Sequence, residues 1–99
     1  MMKTWKNSKM DTFYGSNDAA DMSERCIVTL GDGRMTLKYD IDGGVEVYEG
    51  TETAQGHFNL ASQDGLGKAS LHCFPGGSIF DGWWTEEGDE GMWRIRLGD

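Results

Sequence analysis

The stretch Arg25-Cys26-Ile27-Val28-Thr29-Leu30-Gly31-Asp32-Gly33-Arg34-Met35-Thr36-Leu37-Lys38-Tyr39-Asp40 decides the fold. Asp-Gly is the strongest short-range hairpin signal, because a two-residue type I′ turn needs positive φ at both central positions. With Asp32 and Gly33 as those residues, Leu30 falls opposite Met35, Val28 opposite Leu37 and Cys26 opposite Tyr39. Opposed residues share a face of the sheet, so this face is apolar or amphipathic. The other face pairs Thr29 with Thr36, Ile27 with Lys38 and Arg25 with Asp40, which suits water.

Working outward, the same arithmetic fits Asp64-Gly65. Leu60 faces Ala69 and Phe58 faces Leu71 on the inner side; His57 faces His72 and Asn59 faces Ser70 on the outer. At Asp42-Gly43-Gly44 a two-residue turn would set Val45 beside Asp40. A three-residue loop with Gly44 as a bulge residue sets Ile41 opposite Val45 and Tyr39 opposite Val47, and so keeps the apolar residues together. Pro75-Gly76-Gly77 is a further reversal, after which Phe80, Gly82 and Trp84 share a face with Leu71 and Cys73. The last strand, Met92 to Leu97, sends Trp93, Ile95 and Leu97 inward and Arg94 and Arg96 outward. Thr12-Phe13-Tyr14 reads as a first strand. Residues 17–24 read as a short helix capped by Ser16 or Asn17, placed to close one end of a barrel.

The expectation is an all-β chain: a small up-and-down antiparallel β-barrel of about eight short strands, with a two-layer β-sandwich as the alternative. Residues 1–99 make a single domain. Glycine supplies 15 of the 99 residues and proline only Pro75, as tight reversals require. The formal net charge of −8 argues against nucleic acid and anionic membranes as partners, since both need basic patches. It leaves a basic protein, a cationic small molecule, or plain solubility. The stretch Met1 to Asn7 lacks the apolar run of a signal peptide, and a cytoplasmic protein of bacterial style is the expectation. Two cysteines are too few for a disulfide framework or a zinc site of their own, and no cofactor is expected.

Hairpin order, Trp5 near the start and the basic Arg94 in the last strand together resemble the calycin group, the lipocalin-like and avidin-like barrels. Lys3-Thr4-Trp5 stands where lipocalins begin with Gly-x-Trp. The resemblance implies binding of small hydrophobic ligands in the barrel.

Candidate sites follow from side-chain parity. Tyr39, Phe58, Phe80, Trp84 and Trp93 point inward and form the candidate ligand-binding set for a small apolar or aromatic molecule, in or at the mouth of the barrel. The plainer reading is a core filled by its own side chains. Gly82, between two inward aromatics, would leave space for a ligand or a ring. Trp83 and Ile79 point outward and form the candidate interface for a homodimer or another protein; otherwise the segment holding Trp5 covers them. His57, His72 and Asp81 are weak metal candidates for a metal-assisted hydrolase, and idle surface residues on the plainer reading. Glu86 to Glu90 is a solvated hairpin tip rather than a calcium loop, lacking the EF-hand pattern. Cys26 and Cys73 read as free buried thiols. Gly65-Leu66-Gly67-Lys68-Ala69-Ser70 has the wrong spacing and context for a phosphate loop. No catalytic motif emerges, and the expected function is non-enzymatic binding.

Overall fold

A computed structural model describes residues 1–16 and 19–99. Eight antiparallel strands follow one another around a closed barrel. They are β1 (Met2–Tyr14), β2 (Ala20–Gly31), β3 (Arg34–Ile41), β4 (Gly44–Ala54), β5 (His57–Ser62), β6 (Gly67–His72), β7 (Ile79–Glu86) and β8 (Asp89–Arg96). Pairing of β1 with β8, from Lys9 opposite Arg96 to Tyr14 opposite Gly91, closes the ring and excludes the sandwich. From Lys9 to Phe13 closure gives β1 a ladder partner on each side. No helix among the described residues is long and apolar enough to cross a membrane.

The deciding hairpin forms as read: Cys26 lies opposite Tyr39, Val28 opposite Leu37 and Leu30 opposite Met35. Asp32 and Gly33 take φ of 54° and 73°, as a type I′ turn demands. The β5–β6 register also agrees, with His57 opposite His72 and Phe58 opposite Leu71.

Three expectations are corrected. The helix over 17–24 is absent where the chain is described: Ala20 to Glu24 belong to β2, with Ala20 opposite Phe13 and Asp21 opposite Thr12. Asn17 and Asp18 lie outside the described residues. A helix here would leave the end of β1 without a ladder partner on one side, and that cost outweighs a weak local propensity. The first strand is also far longer than Thr12 to Tyr14, and it carries register shifts between Trp5 and Ser8 and between Met10 and Thr12. At Asp42-Gly43 the tight register holds, with Ile41 opposite Gly44 and Asp40 opposite Val45. It places Tyr48 opposite Leu37, and both are fully buried, while Val45 stays 57% exposed. Burying one tyrosine removes more apolar area from water than burying one valine.

The middle of the barrel is filled. Val28, Met35, Leu37, Tyr48, Leu71 and Ile95 have no exposed surface. Gly82 does not provide ligand space: a Cβ there would run into the Ser70 carbonyl oxygen on β6. The glycine lets two neighbouring strands approach closely at a bend.

On the outer wall one buried charge ties three strands. Asp11 of β1, 3% exposed, accepts from Arg96 Nη1 of β8 at 2.7 Å and from the Ser23 backbone N–H of β2 at 2.8 Å. The Arg96 hydrogen bond, then the Ser23 N–H, hold the Asp11 carboxyl below its usual range against the opposing effect of burial. A folded-state pKa below the unfolded value stabilises the fold above the unfolded pKa of about 3.9, and that contribution is lost as pH falls through the folded value. Urea midpoints measured from pH 6 downward are therefore expected to drop below about pH 4. Asp11→Asn should remove that part of the drop; an unchanged pH profile in the variant contradicts the assignment.

Candidate functional site

An up-and-down barrel gathers alternate turns at the same end. The end of β1, the start of β2 and the β3–β4 and β7–β8 turns therefore share one mouth, which opens into a hollow of about 680 Å³. Four rings wall it: Tyr14 at the end of β1, Tyr39 of β3, Trp84 of β7 and Trp93 of β8. Trp84 and Trp93 stack with centroids 6.1 Å apart. Tyr14 meets Trp84 edge-on at 5.6 Å, and Tyr39 meets Trp93 edge-on at 6.0 Å. Tyr48, fully buried, packs against Trp93 at 5.1 Å. Each such pair adds about 0.5–1.5 kcal/mol beyond area burial, so the wall is held stiffly.

Carboxylates ring the same mouth. Asp21 and Glu24 come from the start of β2, Asp40 and Asp42 from the β3–β4 turn, and Glu86, Glu87 and Asp89 from the β7–β8 turn. Among the described residues no lysine, arginine or histidine lines the hollow. Two ring hydroxyls are tied to this rim: Tyr14 donates to Asp21 Oδ2 at 2.8 Å and Tyr48 donates to Glu86 Oε2 at 3.0 Å. The Asp21 hydrogen bond, with burial and neighbouring carboxylates, pushes the Tyr14 phenol up to about 12. Burial, reinforced by Glu86 and Glu46, raises Tyr39, and burial first of all raises Tyr48. All three phenols therefore stay neutral at physiological pH. Trp84 is 5% exposed, and its indole Nε1 is buried with no hydrogen-bond partner. An unpaired buried donor costs about 1–3 kcal/mol.

The five rings expected to form one pocket are divided. Tyr39, Trp84 and Trp93 belong to the acidic mouth. Phe58 and Phe80, edge-on at 5.9 Å, lie at the other end in an apolar hollow of about 400 Å³ that includes Trp5 and Phe74. Tyr14 and the carboxylate rim are additions that the sequence reading missed. Parity carries a signal for two of them: Glu24 stands two residues from inward Cys26, and Glu86 two from inward Trp84. The acidic tip is a tight turn with Glu87 and Gly88 at φ of 45° and 91°.

The outer-wall candidates are rearranged. Trp83 remains 45% exposed, so the N-terminal segment does not cover it; Trp5 is in β1 opposite Val28. Across the sheet Trp83 lies opposite Met92, which lies opposite Phe13, giving an apolar row over β7, β8 and β1. Ile79 is set apart from that row by Asp81, which accepts from Arg94 Nε at 2.8 Å. Arg94 is thus an outer-wall ion-pair partner. His57 and His72 meet through their Nδ1 atoms on the exposed wall, with Asp81 opposite His72 but bonded to Arg94. Among the described residues no group of three His, Cys, Asp or Glu is arranged to hold a metal ion. Both cysteines are free; Cys26 is buried and its thiol is pushed up to about 12 by burial, while Cys73 is half-buried rather than buried.

No protein family, curated protein or solved structure matches this chain.

Proposed function

We propose that this barrel is a calycin-like binding protein that takes a small aromatic ligand at its acidic mouth, against Tyr39, Trp84 and Trp93. The observation that carries the reading is an open hollow of about 680 Å³ walled by four rings packed in series, above the filled middle of the barrel. Ligand sites are typically about 300–1,000 Å³, and here the rings supply the apolar surface while carboxylates make up half of the lining residues. A ligand seated there leaves the barrel closed and stacks on surfaces already in place, so little ordering cost opposes binding. Screening a chemically diverse set of aromatic compounds by intrinsic fluorescence and thermal shift is expected to give compounds that do both, with the response lost in Tyr39→Ala. Silence across the set contradicts the proposal.

A second reading is self-association through the outer row of Phe13, Met92 and Trp83, which are 39%, 50% and 45% exposed on adjacent strands. The charge of −8 on each copy opposes association, so it should strengthen with salt. Light scattering at high salt is expected to show mass rising with concentration in the native chain but not in Trp83→Ala. A monomer mass throughout contradicts this reading.

A further inference from the structure

We infer that the acidic mouth selects an organic cation, an ammonium group joined to an aromatic ring and a hydrogen-bond acceptor. The inference rests on the proposed ligand site and adds the charge and polarity of what it holds.

Two independent features carry it. One is the field. Carboxylates converge on the hollow from the start of β2 and from the β3–β4 and β7–β8 hairpins, and among the described residues no basic side chain lines it to neutralise them. A concave site with low-dielectric walls focuses such a field. The wall itself has the same preference, because the faces of tryptophan and tyrosine attract ammonium groups. Rim and rings thus favour one sign of charge.

The other feature is the indole of Trp84. It lines the hollow, is nine-tenths buried and more, and its N–H has no partner. Gly91 lies directly across on β8 and is itself opposite Tyr14. A Cβ on Gly91 would come within 2.9 Å of Trp84 Cε2, the carbon bonded to that nitrogen. The unpaired donor therefore sits in the layer of Tyr14 and Gly91, at the mouth. An indole N–H only donates. The atom is closed to solvent, so a carbonyl or ether oxygen on the ligand satisfies it only once the ring shifts to admit that oxygen, and an ammonium alone does not. The phenols of Tyr14 and Tyr48 are already bonded to Asp21 and Glu86, whereas Glu24 and Asp42 are exposed and accept from neither ring.

The test uses three probes on one phenacyl frame: phenacyltrimethylammonium, the neutral phenyl neopentyl ketone of the same shape, and the corresponding carboxylate. Calorimetric titration of the full chain at low salt is expected to rank cation over neutral ketone by about tenfold or more, with no binding of the carboxylate. The cation's advantage should shrink several-fold as salt is raised, through screening. Glu24→Gln/Asp42→Asn, which neutralises two of the seven rim carboxylates, should lose part of that advantage and bind the neutral ketone as before. Trp84→Phe should weaken the ketone, which presents the same carbonyl, and weaken the cation at least as much, since a phenylalanine face attracts an ammonium less than a tryptophan face does. Equal affinity for cation and ketone overturns the inference and leaves the ligand site standing. Cation binding unchanged in the double variant also overturns it. Failure of all three probes to bind the folded chain overturns the inference, and the ligand-site reading falls with it only where the diverse aromatic set is silent too.

Discussion

Tyr48→Ala is expected to lower the unfolding free energy by about 3–5 kcal/mol, a large part of the roughly 5–15 kcal/mol available to a domain. Tyr48 has no exposed surface and stands opposite Leu37 on one side and Ser62 on the other. It packs on Trp93 and stacks beside Tyr39 at 6.5 Å, so its loss opens a cavity behind the mouth wall. Its hydroxyl fills the space that a Cβ on Gly67 would need, which joins β4 to β6 as well. Tyr48→Phe separates the two contributions. It removes only the bond to half-buried Glu86, whose oxygen water can reach, and should cost about 1 kcal/mol. Chemical denaturation of both variants checks this; an alanine variant no weaker than the phenylalanine one contradicts the position of Tyr48 in the core.

Gly82→Ala is expected to destabilise by about 3 kcal/mol or more, the reverse of the ordinary effect in a strand. Glycine inside a strand usually costs roughly 0.5–1 kcal/mol relative to alanine, so the substitution would otherwise help. Here the new Cβ would meet the Ser70 carbonyl oxygen, and would lie 2.9 Å from Leu71 Cα. Both are backbone of β6, so relief requires the strands to part where Leu71 pairs with Gly82. A denaturation midpoint equal to or above that of the native chain would mean that β6 and β7 do not approach in this way.

The fold was legible wherever both faces of a hairpin carried information. From Cys26 to Tyr39 and from His57 to His72, every opposed pair sorted into one face or the other, and those registers agree with the structure. It was not legible where bulges break alternation. In β1, polar Ser8 is fully buried beside a register shift, and no period-two reading predicts that. At β3–β4, counting apolar residues favoured Val45 and Val47, whereas buried area favours Tyr48. Residues 20–24 have mixed composition, and the ladder they form with β1 outweighs local preference.

The candidate site was legible in part. Parity placed Tyr39, Trp84 and Trp93 inside, but parity does not give height along the barrel, so it merged them with Phe58 and Phe80 at the far end. Strand order supplies the missing coordinate. A meander brings the acidic β3–β4 and β7–β8 turns to one mouth, which turns a solvated hairpin tip into part of a rim. The unpaired Trp84 N–H has no sequence signal, because it depends on what the folded neighbours fail to supply.

The four tryptophans sit at three separate places, which makes their indole N–H resonances a direct test of the site. Trp84 and Trp93 line the acidic mouth, Trp5 lines the opposite hollow, and Trp83 is on the outer wall. In a nitrogen-15 spectrum titrated with phenacyltrimethylammonium, the Trp84 and Trp93 signals should shift, Trp84 most, while Trp5 and Trp83 stay in place. Movement of Trp5 or Trp83 with Trp84 and Trp93 unchanged would contradict the account.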